Sequence, residues 1–261
     1  MDKSEKPDRA LAIPAATVVI FRHAGAGGPP ELLMVIRSRK MAFAAGAAVF
    51  PGGRVDAEDY ELAAAMESAV PIDELAHRIA AIRETLEETG LVIGVKGDVN
   101  AAIAVDARKM LLEAGSLAPV LAQFDWQIDE AAIVPFARWY PKNEKLSRVF
   151  DTRFYLADLG TGAVDIAVDE TENSKLFWAS AQQALEMSAK GDIGIIFPTR
   201  RNLERLALFD DFAAAEAQCR AIPVETVIPF ITGEGDDRQL QIPEGLGYPI
   251  TSEPLESVLR G

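Results

Sequence analysis

The order of strand-like and helix-like segments predicts an α/β protein. Two observations carry this. Short β-branched or apolar runs, punctuated by glycine and proline, recur at 15–21, 32–36, 47–50, 133–139, 149–156 and 176–178. Among them lie segments with apolar residues at helical spacing. The clearest is 73–89, where Leu75, Ile79, Ile82 and Leu86 form one narrow stripe. A chain of 261 residues can bury one sizeable core, or one core with a helical annex.

Taken in order, 1–13 reads as a flexible leader. The runs 15–21 and 32–36 read as a hairpin, joined by Gly25-Ala26-Gly27-Gly28-Pro29-Pro30. A short strand at 47–50 runs into Pro51-Gly52-Gly53. The acidic, alanine-rich stretch 54–74 predicts one helix and a loop. The helix over 73–89 takes Asp73 as N-cap and Gly90 as left-handed C-cap. A short extended run follows at 92–95, then a helical segment over 106–124. Further helices are expected at 180–189, at 198–208 with Pro198 at its start, and at 210–220. From Ile222 onward the chain is rich in Pro and Gly and predicts an extended tail. The boundaries drawn are a main domain over 14–208, interrupted at about 54–74 and 106–124, with 209–261 packed on the same domain.

Hydrophobic content of 49% and charged content of 25% suit a soluble globular protein. The net charge of −14 argues against general binding to nucleic acid or anionic membranes. It also means that an anionic substrate needs a bound metal or a local basic patch. A single cysteine, Cys219, excludes an intrachain disulfide and a multi-cysteine metal site. The polar opening Met1 to Asp8 is unlike a signal peptide, no run approaches the ~18 apolar residues of a spanning helix, and Val258-Leu259-Arg260-Gly261 carries no peroxisomal address. A cytoplasmic protein is expected.

The chemistry concentrates in Arg83-Glu84-Thr85-Leu86-Glu87-Glu88-Thr89-Gly90-Leu91. On a helix, Glu84, Glu87 and Glu88 share one patch, where like charges repel by a few tenths of a kcal/mol per pair. Alone, such a patch reads as a solvated acidic face. Kept together beside Arg83 and a glycine stop, it points to a cation, and carboxylates are the ligands that Mg²⁺ and Mn²⁺ prefer. Arg83, one turn before Glu87, is placed to orient the carboxylates. Arg37, Arg39 and Lys40 at the end of the second strand, and Arg54 after the glycines, are candidates for holding a phosphate, or plain solvated cations. Glu170 and Glu172 are candidate further acids, or an exposed acidic loop. His23 and His77 have no partner at metal-binding spacing. Neither a Ser-His-Asp nor a Cys-His nucleophile is supported.

The segment Arg83-Glu84-x-x-Glu87-Glu88-x-Gly90-Leu91 resembles the second half of the Nudix box, and Phe50-Pro51-Gly52-Gly53 resembles the strand end and glycine loop that open it. Thr85 stands where the family has an aliphatic residue. The first half departs. Arg83 follows Gly53 by 30 positions where the family has 14, leaving about 16 extra residues inside the motif. The early glutamate of the pattern has no clear counterpart: eight before Arg83 lies Leu75, Glu74 is one residue off, and counting from Gly53 lands on Asp59.

The resemblance implies an α/β/α sandwich around a mixed sheet, with helical insertions and extra C-terminal helices. It implies a metal-dependent hydrolase of nucleoside diphosphate derivatives. Glu84, Glu87 and Glu88 would bind Mg²⁺ or Mn²⁺ together with a carbonyl of the Gly52-Gly53 loop. The interrupted box, the segment 148–155 and Phe197-Pro198-Thr199 resemble the peroxisomal-type coenzyme A diphosphatases. That branch implies hydrolysis of CoA or acyl-CoA to 4′-phosphopantetheine, or its acyl form, and adenosine 3′,5′-bisphosphate. The rivals are a hydrolase of ADP-ribose, nucleotide sugars or dinucleotide polyphosphates, and a non-catalytic ligand-binding module. A small-molecule partner is expected, with neither nucleic acid nor membrane, and a homodimer remains open.

Overall fold

The computed structural model describes residues 12–24, 27–38, 46–141, 149–160 and 173–260. Among these, eight strands make one mixed sheet. Its spine is β1 (Ile13–Arg22), which lies parallel to β8 (Phe150–Asp158). The other edge of β1 is shared. Its first half pairs with β4 (Gly52–Arg54), and its last residues pair with β2 (Glu31–Arg37). Strand β2 also pairs with β3 (Ala48–Val49) and β9 (Asn173–Ala179), while β8 carries β7 (Val134–Trp139) on its outer edge.

Side chains alternate across a strand, so each strand feeds two cores. Ala16, Val18 and Ile20 of β1, Leu33 and Val35 of β2, and Tyr155 of β8 face one layer. That layer contains α1 (Ala57–Ala65), α2 (Ile72–Thr89), α3 (Ala101–Ala114) and α4 (Ala118–Phe124). Val19, Phe21, Leu32, Met34 and Leu156 face α5 (Ala181–Ala189), α6 (Phe197–Leu206) and α7 (Phe212–Ala221). The result is the expected sandwich, with helices on both faces of a mixed sheet. The stripe Leu75, Ile79, Ile82 and Leu86 is buried against the first face. Each such side chain contributes about 1.5–3 kcal/mol.

Four local expectations change. The long helix starts at Ile72 with Pro71 as N-cap, and Asp73 lies inside its first turn. There Asp73 binds Arg153 of β8 and accepts from the Tyr60 hydroxyl of α1, so its carboxylate is committed to side chains rather than to a helix cap. The segment 106–124 is two helices, not one. Gly115 in the left-handed region ends α3, and Pro119 in the first turn of α4 starts the next. Gly52 and Gly53 form an edge strand on β1 rather than a free loop.

The tail is not simply extended. Strand β10 (Thr226–Val227) joins β7 in parallel, and β11 (Phe230–Thr232), β12 (Gln239–Gln241) and β13 (Ser252–Pro254) make a separate antiparallel sheet, followed by α8 (Leu255–Arg260). Tyr248 locks this region down: its hydroxyl donates to Asn202 and accepts from the Trp139 indole, both at 2.9 Å. Short paired segments carry no strong periodicity, which is why the tail read as extended. Among the described residues no helix is long and apolar enough to cross a membrane.

Candidate active site

The last two turns of α2 lie against β4. Gly90, with φ 76°, closes the helix by donating its N–H to the Leu86 carbonyl at 3.0 Å. The Gly52 N–H donates to Glu88 Oε2 at 3.0 Å, so the sheet edge fixes Glu88 directly. A Cβ on Gly53 would overlap the Glu84 carboxylate, and one on Gly52, where φ is 152°, would overlap the backbone of Ala16 and Thr17. Both glycines are required by close approach. Strand β4 is squeezed between β1 on one side and the glutamates on the other.

Arg83 is buried and organises the acids. Its Nε and Nη2 donate to both oxygens of Asp59, at 3.0 and 2.9 Å. Its Nη1 donates to Glu84 Oε1 at 2.8 Å and, at 3.5 Å, to Glu87 Oε2. Nη2 also reaches the Arg54 carbonyl at 2.9 Å and Asp56 at 3.3 Å. The expected contact to Glu87 one turn on is therefore the long one, and the neighbouring Glu84 is held more closely. Burial alone would lower the Arg83 pKa, but Asp59 and Glu84 drive it well above its ordinary value. The fork geometry of a guanidinium suits this many-partnered role.

Asp59 is 1% exposed and sits in the first turn of α1. It is the acid six positions after Gly53, and of the candidates for the early box acid it is the one that meets Arg83. Glu74 instead pairs with Arg78 and Arg153. The spacing from Gly53 was the available signal; the count back from Arg83 fails because the added residues lie between Asp59 and Arg83.

The three glutamates are not a solvated face. The Glu84 side chain is only 14% exposed and Glu88 is buried, while Glu87 is half-buried. Burial pushes the Glu84 carboxyl up to about 8; Arg83 opposes this, and repulsion from Glu88 and Glu87 adds to it. Thr85, the departure from an aliphatic residue, is fully buried and donates its hydroxyl to the Ala81 carbonyl at 2.7 Å, so its polarity is satisfied within the helix. Thr89 does the same toward Thr85 at 2.6 Å.

Other predicted residues scatter. Arg54 follows the glycines with an exposed side chain. Arg37 is half-buried at the end of β2, and its Nε is enclosed without a hydrogen-bond partner. Arg39, Glu170 and Glu172 lie outside the described residues. Among the described residues no three acids, histidines or cysteines converge as a group that could hold a metal ion. Glu84 and Glu87 turn instead toward Arg83, and Glu88 toward Gly52. A pocket lined by Phe21, His23, Asp158 and Asp211 lies at the far end of β1 from Gly53 and includes none of the predicted residues. Arg108, which touches Glu87 from α3, had no sequence signal.

This fold and this box are similar to those of the Nudix hydrolases. The chain is similar to a solved Nudix hydrolase from Alicyclobacillus acidocaldarius, at 25% identity and a TM-score of 0.68, over 80% of this chain and 97% of that one. Among proteins of curated function it is 27% identical to the acyl-coenzyme A diphosphatase NUDT19 of Gallus gallus, aligned over 69% of this chain. The chain spans 61% of the length of that protein. A looser likeness, with a TM-score of 0.43 and 13% identity, links it to the Nudix domain of Shewanella oneidensis NrtR, solved with ADP-ribose. No family model matches the chain.

Proposed function

We propose that this chain is a metal-dependent Nudix hydrolase that cleaves the diphosphate linkage of coenzyme A or acyl-coenzyme A. The products are 4′-phosphopantetheine, or its acyl form, and adenosine 3′,5′-bisphosphate. The observation that carries the reading is the approach of Glu84 and Glu88 to the Gly52–Gly53 backbone, with Arg83 tying Glu84, and at longer range Glu87, to Asp59. The likeness to an acyl-coenzyme A diphosphatase supports the choice of substrate.

The donor chemistry fits a hard divalent cation. Carboxylates and a backbone carbonyl offer oxygen only. Glu84, Glu87, Glu88 and the Gly53 carbonyl would hold Mg²⁺ or Mn²⁺. Once bound, such a cation neutralises charge on the diphosphate and makes water more acidic. Arg83 fixes the Glu84 carboxylate, and the Gly52 N–H fixes Glu88.

Arg37, Arg39 and Arg54 are proposed to hold the anionic groups of the substrate, and Glu170 or Glu172 to add a further acid. The proposal includes a cytoplasmic location, a domain over 14–208 with the tail packed on it, and an insertion inside the box. Contact between Asp59 and Arg83 favours catalysis over a non-catalytic binding module, since the early acid is supplied.

The test incubates the protein with Mg²⁺ or Mn²⁺ and coenzyme A, acetyl-coenzyme A, ADP-ribose, NADH, nucleotide sugars and diadenosine polyphosphates, with products read by mass spectrometry. Metal-dependent release of adenosine 3′,5′-bisphosphate, lost in Glu87→Gln, is the expected result. Cleavage of another substrate instead discards coenzyme A and keeps the Nudix reaction. Binding without turnover of any member moves the assignment to a ligand-binding module.

A further inference from the structure

We propose that Arg108, on α3, is a positioning residue that sets the C-terminal turn of α2 and through it the Glu87 carboxylate. This rests on the proposed metal role of Glu87. The carbonyls of a helix's last turn lack intrahelical donors. In α2 the Leu86 carbonyl is taken by the Gly90 N–H. The Leu91 N–H, which would return to the Glu87 carbonyl in a continued helix, donates instead to Thr89 Oγ1 at 3.1 Å. The Glu87 carbonyl is taken by Arg108, whose Nε and Nη2 donate to it at 3.0 and 2.8 Å.

Two donors of one planar guanidinium on one oxygen fix direction as well as distance. The arginine stands on a rigid element. Asn100 caps α3 by accepting from the Ile103 N–H, Ala107 and Leu111 are buried in the core beneath the sheet, and Gly115 ends the helix. A cation at this point also complements the negative end of the α2 dipole. Glu87 is where such help matters. Glu84 is held by Arg83 at 2.8 Å and Glu88 by the Gly52 N–H at 3.0 Å, whereas the Arg83 contact to Glu87 is 3.5 Å. The anchor from α3 falls on the backbone of the acid whose arginine contact is longest.

The test measures Mn²⁺ affinity directly, by electron paramagnetic resonance of free Mn²⁺, alongside thermal melts. The 261-residue chain is compared with Arg108→Met, Arg108→Lys, Leu111→Ala and Glu87→Gln. Arg108→Met is expected to weaken Mn²⁺ about tenfold, the lower end for partners that orient a metal ligand. Arg108→Lys, which keeps one donor, recovers part of the loss. Leu111→Ala lowers the melting temperature through α3 packing and leaves Mn²⁺ affinity within about twofold. If Arg108→Met does not fold, Arg108→Gln carries the same expectation. Wild-type affinity in Arg108→Met while Glu87→Gln is weakened overturns the role of Arg108 alone, as does equal weakening in Leu111→Ala. Unchanged affinity in Glu87→Gln overturns the metal reading and this proposal with it.

Discussion

Two buried arginines invite comparison. Arg83 on α2 and Arg201 on α6 are 4% and 2% exposed, and each is followed on its helix by a glutamate. Arg83 engages Asp59, Glu84, Glu87 and the Arg54 carbonyl with all its nitrogens. Arg201 reaches Glu204 at 3.0 Å, Glu253 at 2.8 Å and the Ile250 carbonyl at 3.3 Å, while its Nε and Glu204 Oε2 are enclosed without hydrogen-bond partners. Their pKa values move in opposite directions. Burial lowers that of Arg201, and Glu204 and Glu253 only partly offset it. At Arg83 the acids outweigh burial. Burial lowers both, and partner number and geometry decide the sign. Arg83 therefore reads as the organiser of an acid cluster, and Arg201 as a cross-link that fastens β13 to α6.

The largest expected effect is at Arg83. Arg83→Met strips the buried Asp59 carboxylate of its ion pair and is expected to cost about 3–5 kcal/mol in urea unfolding, with hydrolysis lost. Adding Asp59→Leu to it is expected to return much of the stability and none of the activity. Recovery of hydrolysis in the double variant would mean that Arg83 is only structural. Arg201→Met is expected to cost less, about 1–3 kcal/mol, because Glu253 lies near the surface and Arg201 is already under-partnered. It leaves turnover unchanged; a fall in turnover at constant fold would erase the contrast between the two arginines.

The glycines sharpen the same contrast at smaller cost in stability. Gly53→Ala pushes on the Glu84 carboxylate and is expected to lower kcat about 100-fold, with a modest change in melting temperature. Gly52→Ala presses on the backbone of Ala16 and Thr17, so stability falls before activity can be isolated. Equal effects from the two would place Glu84 outside the chemistry.

The smallest effect is a pH dependence at His77, in the first turns of α2. It is 3% exposed, and its Nδ1–H donates to the Asp73 carbonyl at 2.6 Å. Burial lowers its pKa, Arg153 adds to this, and the Asp73 carbonyl and carboxylate and Glu74 oppose it. The folded state thus prefers neutral histidine. This contribution is complete above the unfolded pKa of about 6.5 and is lost as pH falls below it toward the folded value, at no more than about 1.4 kcal/mol per pH unit. Urea midpoints of His77→Gln and the wild type between pH 7.5 and 5 should converge in slope only above about 6.5. Parallel curves throughout would remove the assignment.

The sequence by itself determined the long helix, its buried stripe, its glycine stop and the three glutamates on one patch, because a 3.6-residue period and a C-cap are local properties. It also determined the order of strands and helices in outline, since strand runs and helix spacing survive without knowledge of partners, while the sandwich followed from the resemblance of the box to a known family. Tertiary structure alone decided which acid meets Arg83. Asp59 and Glu74 were both candidates by count, and the choice depends on how the added residues fold α1 back along α2. Tertiary structure also drew Gly52 and Gly53 into the sheet edge, built a second sheet from the tail, and placed Arg108 on the Glu87 carbonyl. Each of these joins segments far apart in the chain, where closure is governed by packing rather than by any spacing a sequence can display.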